Sequence, residues 1–535
     1  MTAAPDLAAA RTALDLASGL ITAALRNLGA GGGADAHQTI AYDLAHAAAA
    51  VEGARSALLY GEHGETEARI ACAFVADAIH DLVSRLIGRD TAWGVDPATL
   101  APAHEFLTRY RDPAFVASLA GAPGDRHLEN DFVMVQDAFR RFAEEKVRPV
   151  AERVHRDNDD IPEDVISGLA ELGTFGLSIP AEYGGFSEGG ESEYMAMVVA
   201  TEELSRASLG AAGSLITRPE ILSRALVQGG TEKQKQEWLP RLASGEIMNA
   251  VAVTEPDFGS DAGAVRMTAT RAADGSAYVL TGVKTWCTFA ARADILMLLA
   301  RTDPDTSKGH KGLSLFIVPK ERGDGHGFEF TDGNGGTMSG RPIDTIGYRG
   351  MHSYEVAFDS WVVPAENLIG EEAGLGRGFY MTLQGFENGR LQTAARAVGV
   401  MQAAYEAAYS YAQSRVVFGS PILDYELTQV KLGRMAVIIQ SARQFMYDVA
   451  KLMASGESAT EASMVKAYVC RAAEWVTREA MQIHGGMGYA EEFPVSRYFV
   501  DARVLSIFEG TDETLTLKVI TKRLIDRAAK DGQGT

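Results

Sequence analysis

Residues 506–514 read S-I-F-E-G-T-D-E-T, and the rest of the chain is organised around this stretch. One carboxylate, Glu509, follows Ile507 and Phe508 and precedes Gly510 and Thr511. A carboxylate among apolar neighbours loses hydration, which makes it a stronger base. Gly510 lets the backbone turn sharply and approach a ligand closely. The ordinary alternative is a loop with one exposed glutamate. The segments around it decide between the two.

The chain has 535 residues, 46% hydrophobic and 23% charged, with a net charge of -21. That length accommodates about three or four domains. The negative charge argues against nucleic acid or an anionic membrane surface as the main ligand. Cys72, Cys287 and Cys470 are far apart and form no CxxC pair. A disulfide framework or a zinc site is therefore not expected, and a reducing compartment fits. The N-terminus has no basic-then-apolar signal pattern, and no apolar run is long enough to span a bilayer. A cytoplasmic protein is the expectation.

Residues 1 to about 110 are alanine-rich, with helical spacing near 6–27, 38–60 and 66–88 and a break at Gly31-Gly32-Gly33. Thr66-Glu67-Ala68 followed by Ala73-Phe74-Val75 matches Thr460-Glu461-Ala462 followed by Ala467-Tyr468-Val469 at the same spacing. Convergence and a degenerate internal repeat both explain the match. Proline and glycine in 112–127 suggest a linker, and helix resumes at Leu128. From 249 the texture is short β-type runs at 249–254, 277–282, 294–300, 313–318 and 354–358. The glycine-rich segment 322–340 reads as a flexible surface insertion, since no lysine-threonine pair makes it a phosphate loop. Helix returns from Phe379. The expected class is mainly α with a central β-domain. The expected divisions are a helical extension over 1–120, helical 121–248, β 249–372 and helical 373–535.

Several segments suit a planar cofactor with a pyrophosphate tail. T-E-P-D-F-G-S-D (254–261) offers hydroxyl and backbone donors in a tight loop. G-V-K-T-W-C-T (282–288) puts Trp286 and Thr288 on one face of a strand, where an indole could flank a flavin and a hydroxyl could donate to it. Q-I-H-G-G-M-G-Y (482–489) offers amides free of side-chain bulk at Gly485 and Gly486, and Arg415 is a bidentate phosphate partner by type. Singly, Trp286 reads as core, His484 as packing and Arg415 as surface charge.

Taken together and in this order, these motifs resemble the acyl-CoA dehydrogenase family over about 128–530. The resemblance implies a helical domain, a β-barrel domain and a four-helix bundle, here behind an N-terminal helical extension. It implies FAD and oxidation of an acyl-CoA thioester to the 2-enoyl-CoA. On this resemblance Thr254, Ser260, Trp286, Thr288 and Thr511 contact the flavin cofactor, with Ser260 also near CoA. Arg415 and Phe418 contact the FAD diphosphate of a neighbouring subunit, and Gln482, Gly485 and Gly486 lie near its adenine end. Glu509 falls on the catalytic base, with Gly510 beside the substrate and Arg390 as a support. The family's other base position, just before the arginine of F-E-N-G-R (386–390), is Gly389 here, which strengthens Glu509. The thioester carbonyl would take hydrogen bonds from the Glu509 N–H and a flavin ribityl hydroxyl, about 3 kcal/mol per donor. Glu513 and Tyr425-Glu426 depart from the family's usual residues.

A body of this kind behind an extension of about 120 residues resembles members acting on a short, branched dicarboxylic acyl-CoA. The distal carboxylate needs a cation, because a buried unpaired charge is strongly disfavoured. Arg218, in S-L-I-T-R-P-E, is the candidate; its alternative is a structural pair with Glu220. The resemblance further implies a homo-oligomer, at least a dimer, and an electron-transfer flavoprotein as acceptor. Another short or branched substrate, an oxygen-using acyl-CoA oxidase, and a non-catalytic scaffold are the competing readings.

Overall fold

Alanine at helical spacing builds three long N-terminal helices, α1 (Leu7–Ala30), α2 (Gln38–Tyr60) and α3 (Glu65–Leu86), in a computed structural model that describes residues 3–323, 326–456 and 459–531. Further along run α4 (Thr217–Gly229), α5 (Gly378–Ser414), α6 (Glu426–Met453), α7 (Ala459–His484), α8 (Pro494–Leu505) and α9 (Thr521–Asp531). The chain divides into two units. One comprises Met1–Ala138, Val198–Arg206 and Thr393–Thr535; the other comprises Phe139–Met197 and Ala207–Gln392.

In the first unit the helices of the extension pack on one another and on helices near the C-terminus. α2 packs against α1 and α3 and also against α6 and α7, while α1 packs against α9. Phe74 and Tyr468, at matching positions of the repeated pattern, meet edge to face with ring centroids 5.6 Å apart. By length and composition α1 could cross a membrane, with mean hydropathy 1.2, which corrects the expectation that no such run exists. Its apolar face is instead buried, and Arg26 Nε donates to the Ala528 carbonyl at 3.0 Å.

Residues 112–127 are more than a linker. Pro113 occupies the first turn of a short helix, Pro113–Ala117, where its missing N–H costs nothing, and Asp112 caps that helix. Beyond it the backbone is pinned. Tyr60 Oη and Gln440 Nε2 donate to the Asp125 carbonyl at 2.9 and 2.7 Å. Arg126 pairs with Glu202 at 2.9 Å and Glu203 at 2.7 Å, and Arg443 reaches Glu202 at 2.9 Å. Glu202 is 0% exposed, so these guanidiniums are what keep its charge tolerable.

The second unit holds an eight-stranded mixed sheet: β1 (Asn249–Ala252), β2 (Thr268–Arg271), β3 (Ala277–Thr288), β4 (Ile295–Arg301), β5 (Leu313–Pro319), β6 (Phe328–Thr331), β7 (Thr337–Ile343) and β8 (Ser353–Pro364). The order is β1-β4-β2-β3-β8-β7-β6, with β5 also on β4. Every residue of β4 is buried, and Ile295, Met297 and Leu299 join a core that includes Leu222, Leu226 and Leu239. The glycine-rich segment supplies a hairpin, not a flexible insertion. β6 and β7 pair antiparallel around Asp332, whose carboxylate accepts the N–H groups of Asn334, Gly336 and Val362 at 2.7–2.9 Å. Glycine there serves the turn, with Gly335 at φ 85°. Residues 324 and 325 of that segment lie outside the described residues.

Arg443→Met should leave Glu202 short of one guanidinium and cost about 3 kcal/mol, read as a lowered melting temperature.

Candidate active site

The site residues expected from sequence fall in both units. In the second unit a buried ion pair sets the loop 254–261. Lys284, on β3, is fully buried and donates to Glu255 Oε1 at 2.8 Å and to the Val253 carbonyl at 2.9 Å. Burial pushes the Lys284 ammonium down from its ordinary value, and Glu255 opposes that shift. Glu255 also accepts the N–H groups of Arg266 and Met267 at 2.7 and 2.9 Å. With its carboxylate so held, the Glu255 and Phe258 backbones bond reciprocally and close the tight loop. The Thr254 carbonyl accepts Thr285 N–H at 2.9 Å, which sets Thr254 beside β3. Ser260 is exposed on the loop.

β3 is not a uniform strand. Its register against β8 slips between Lys284 and Cys287, and Trp286 sits at φ 58°. A non-glycine residue there costs about 1–2 kcal/mol. The bulge turns Trp286 outward, 55% exposed, while Cys287 is buried and Thr288 is half-buried against Ser353 at 3.1 Å. An indole held open in a strained conformation presents a flat apolar surface for a ring to stack on.

Arg218 lies in the first turn of α4, 5% exposed. Its guanidinium reaches only the Ser214 carbonyl at 3.4 Å and Thr217 Oγ1 at 3.2 Å. Glu220 does not pair with it, because Glu220 is taken by Arg224 at 3.0 Å. Among the described residues, Arg218 is a buried cation without a carboxylate partner. Arg390 is half-buried on α5.

Asp160, His326 and His352 can bring ligand atoms within 4.8 Å of one another, a grouping the sequence reading did not foresee. There His352 Nε2 faces the Asp159 carbonyl at 3.2 Å and Asp160 at 3.3 Å, and Arg292 lies 3.7 Å from Asp160. Arg292 therefore supplies positive charge to Asp160.

In the first unit, Glu509 and Gly510 follow α8 at φ 55° and 94°, two successive left-handed residues. A Cβ at Gly510 would stand 3.0 Å from Leu515. The turn is closed by Asp512 N–H to the Ser506 carbonyl at 3.2 Å. Glu509 Oε2 is buried with no hydrogen-bond partner, and the Glu509 N–H donates to no protein acceptor among the described residues. Lys466 Nζ donates to the Gly510 carbonyl at 2.5 Å. Thr511 caps the next turn, its Oγ1 accepting Thr514 N–H at 3.3 Å.

Arg415 precedes a two-residue hairpin between Val416–Val417 and Ser420–Pro421. Phe418 stands at its tip, φ 51° and 96% exposed, an aromatic ring with nothing of its own unit to cover it. Gln482, Gly485 and Gly486 are exposed at the end of α7, with open space where a Cβ would be on either glycine. Buried His484 stacks on Tyr411 at 4.3 Å, which ties this glycine turn to the helix feeding the hairpin.

Lys284, Glu255 and Lys466, which hold the loop 254–261 and the Glu509 turn, were not singled out in sequence. The first two stand inside quoted motifs, where a lone lysine and a lone glutamate carry a pairing signal; Lys466 has no local signal.

Three family models match in chain order: acyl-CoA dehydrogenase N-terminal domain over 129–246, middle domain over 250–361 and C-terminal domain over 376–525. A (2S)-methylsuccinyl-CoA dehydrogenase of Cereibacter sphaeroides is 44% identical over 425 residues, 77% of this chain and 75% of that protein. Butyryl-CoA dehydrogenase from Megasphaera elsdenii shares the fold with TM-score 0.67 and 31% identity, over 75% of this chain and all of that one. A glutaryl-CoA dehydrogenase from Mycobacterium smegmatis, solved in complex with FADH2, does so with TM-score 0.66 and 26% identity, over 77% of this chain and 98% of that one.

Lys284→Met should leave Glu255 as an unpaired buried carboxylate, a loss of about 3–5 kcal/mol, and should free the loop 254–261. Bound flavin per chain, read from visible absorbance, should fall along with thermal stability.

Proposed function

The chain belongs to the acyl-CoA dehydrogenase family, and from that premise we propose that it converts (2S)-methylsuccinyl-CoA to mesaconyl-CoA with Glu509 as the base. The reaction class is oxidation of the CH–CH group of an acyl-CoA, and the cofactor is FAD. In the second unit an open indole at Trp286 and hydroxyls at Thr254, Ser260 and Thr288 suit that cofactor, and in the first unit Thr511 lies beside the base. Bare Phe418, cationic Arg415, and the open turn with Gln482, Gly485 and Gly486 suit the diphosphate and adenine of a neighbouring subunit's cofactor, hence at least a dimer. When bound, FAD accepts the substrate's β-hydrogen as hydride.

The chain's own residues do the rest. The unpartnered Glu509 Oε2 is an acceptor for the α-proton, and the Glu509 N–H is a donor for the thioester carbonyl, where negative charge develops. Gly510 leaves the approach clear. Arg218 is the observation that carries the choice of substrate. A buried guanidinium without a counter-charge is costly, and a distal substrate carboxylate would offset that cost. Uncharged acyl chains have no such use for it. An electron-transfer flavoprotein as acceptor, a cytoplasmic location, and domain divisions near 120, 248 and 372 complete the reading.

Anaerobic titration with methylsuccinyl-, glutaryl-, isobutyryl- and butyryl-CoA tests it directly: methylsuccinyl-CoA should bleach the flavin fastest. Glu509→Gln should reduce turnover by about 1000-fold while keeping flavin. Arg218→Met should lower kcat/KM for methylsuccinyl-CoA by about 100-fold and leave butyryl-CoA nearly untouched; equal losses on both would remove the assignment.

A further inference from the structure

The N-terminal extension reaches the turn that carries Glu509. Tyr42 Oη, on α2, donates to Asp512 Oδ2 at 2.7 Å, and His46 Nε2 donates to the same oxygen at 3.0 Å. The two side chains are four residues apart, so they lie on one helix face, and their rings meet edge to face at 4.6 Å. His46 and Asp512 are both buried. Burial pushes the Asp512 carboxyl up, but the bonds from His46 and Tyr42 and the charge of Arg471 outweigh it and hold it below its ordinary value. The same Asp512 supplies the N–H that closes the turn on Ser506, so Glu509 sits at the middle of a loop whose end is fastened to the extension. The Ala41 carbonyl, next to Tyr42, accepts Thr521 Oγ1 at 3.0 Å, a second tie between α2 and the C-terminal segment.

We propose that Tyr42 and His46 are positioning residues for proton abstraction: by holding the Asp512 carboxylate they fix the Ser506–Asp512 turn, and with it the carboxylate and N–H of Glu509. This rests on the reading of Glu509 as the base. Charge-assisted hydrogen bonds are the strong ones, and among the described residues Asp512 receives both of its side-chain hydrogen bonds from the extension. Removing them leaves a buried carboxylate that must move to find water, and its backbone moves with it. Positioning errors of about 1 Å cost about 100-fold in rate.

The full-length, flavin-loaded Tyr42→Phe/His46→Leu variant tests this. Expected is a fall in kcat of about 100-fold with KM and flavin content nearly unchanged. Exchange of the substrate α-proton with deuterated solvent should slow by the same factor. His46→Gln, which keeps an N–H donor, should restore most of what His46→Leu loses. In a Glu509→Gln background the double substitution should cost nothing more. Unchanged kcat, no rescue by glutamine, or a loss that tracks flavin content alone overturns the proposal. If the double variant does not fold, Tyr42→Phe and Asp512→Asn singly should each lower kcat by about tenfold at constant flavin, and unchanged kcat in both overturns it. Wild-type turnover in Glu509→Gln alone would instead remove the base reading, and this proposal with it.

Discussion

A carboxylate oxygen that is buried and unbonded has to be held in place by something other than its own bonds. Glu509 Oε2 has no partner among the described residues, and its backbone lies in the left-handed region with Gly510 behind it. Left alone, such a turn would relax until the carboxylate met water. It is prevented from several directions. Asp512 closes the loop on Ser506, the Ser506 hydroxyl is engaged by Glu474, and Lys466 holds the Gly510 carbonyl. The local strain is therefore sustained by hydrogen bonds to neighbouring helices, which is the usual condition for keeping a reactive group poised.

The same rule separates two buried cations in the other unit. Lys284 and Arg218 are both inside, yet Lys284 meets a carboxylate and a carbonyl at short distance, while Arg218 meets only a hydroxyl and a distant carbonyl. One pair fixes a loop; the other group has no anion beside it among the described residues. Burial alone would not distinguish them. The partner inventory does, since an interior guanidinium without an anion is tolerated only where something else favours it.

How far the sequence revealed this follows from the range of each signal. The Glu509 turn, the exposed Trp286 and the Arg415–Phe418 hairpin all sit in short motifs whose chemistry is local, so their residue types were readable in place. Arg218 was readable as a candidate, but whether Glu220 pairs with it depended on Arg224, four residues beyond Glu220 on the same helix, taking that carboxylate first. The glycine-rich 322–340 segment was misjudged because glycine content alone does not tell a hairpin turn from a free loop; Asp332 decides it by gathering three backbone donors. The 112–127 segment interrupts the helices as its prolines and glycines suggest, except that Pro113 starts one short helix, because proline starts a helix as readily as it breaks one. The contact of Tyr42 and His46 with Asp512 spans more than 460 positions, beyond any local pattern.

Alanine explains why that long-range contact exists at all. Ala45, Ala47, Ala49, Ala54 and Ala57 are fully buried along α2, and Gly53 lies so close to Phe445 that a Cβ would come within 3.2 Å of its ring. Small side chains let helix axes approach closely, and a close approach is what a tyrosine and a histidine on the first turns of α2 need to reach the loop beyond α8. An extension built of larger residues would stand farther off and would satisfy Asp512 only through water. The alanine-rich composition of residues 1–110 is thus the property that brings them within hydrogen-bonding distance of the turn.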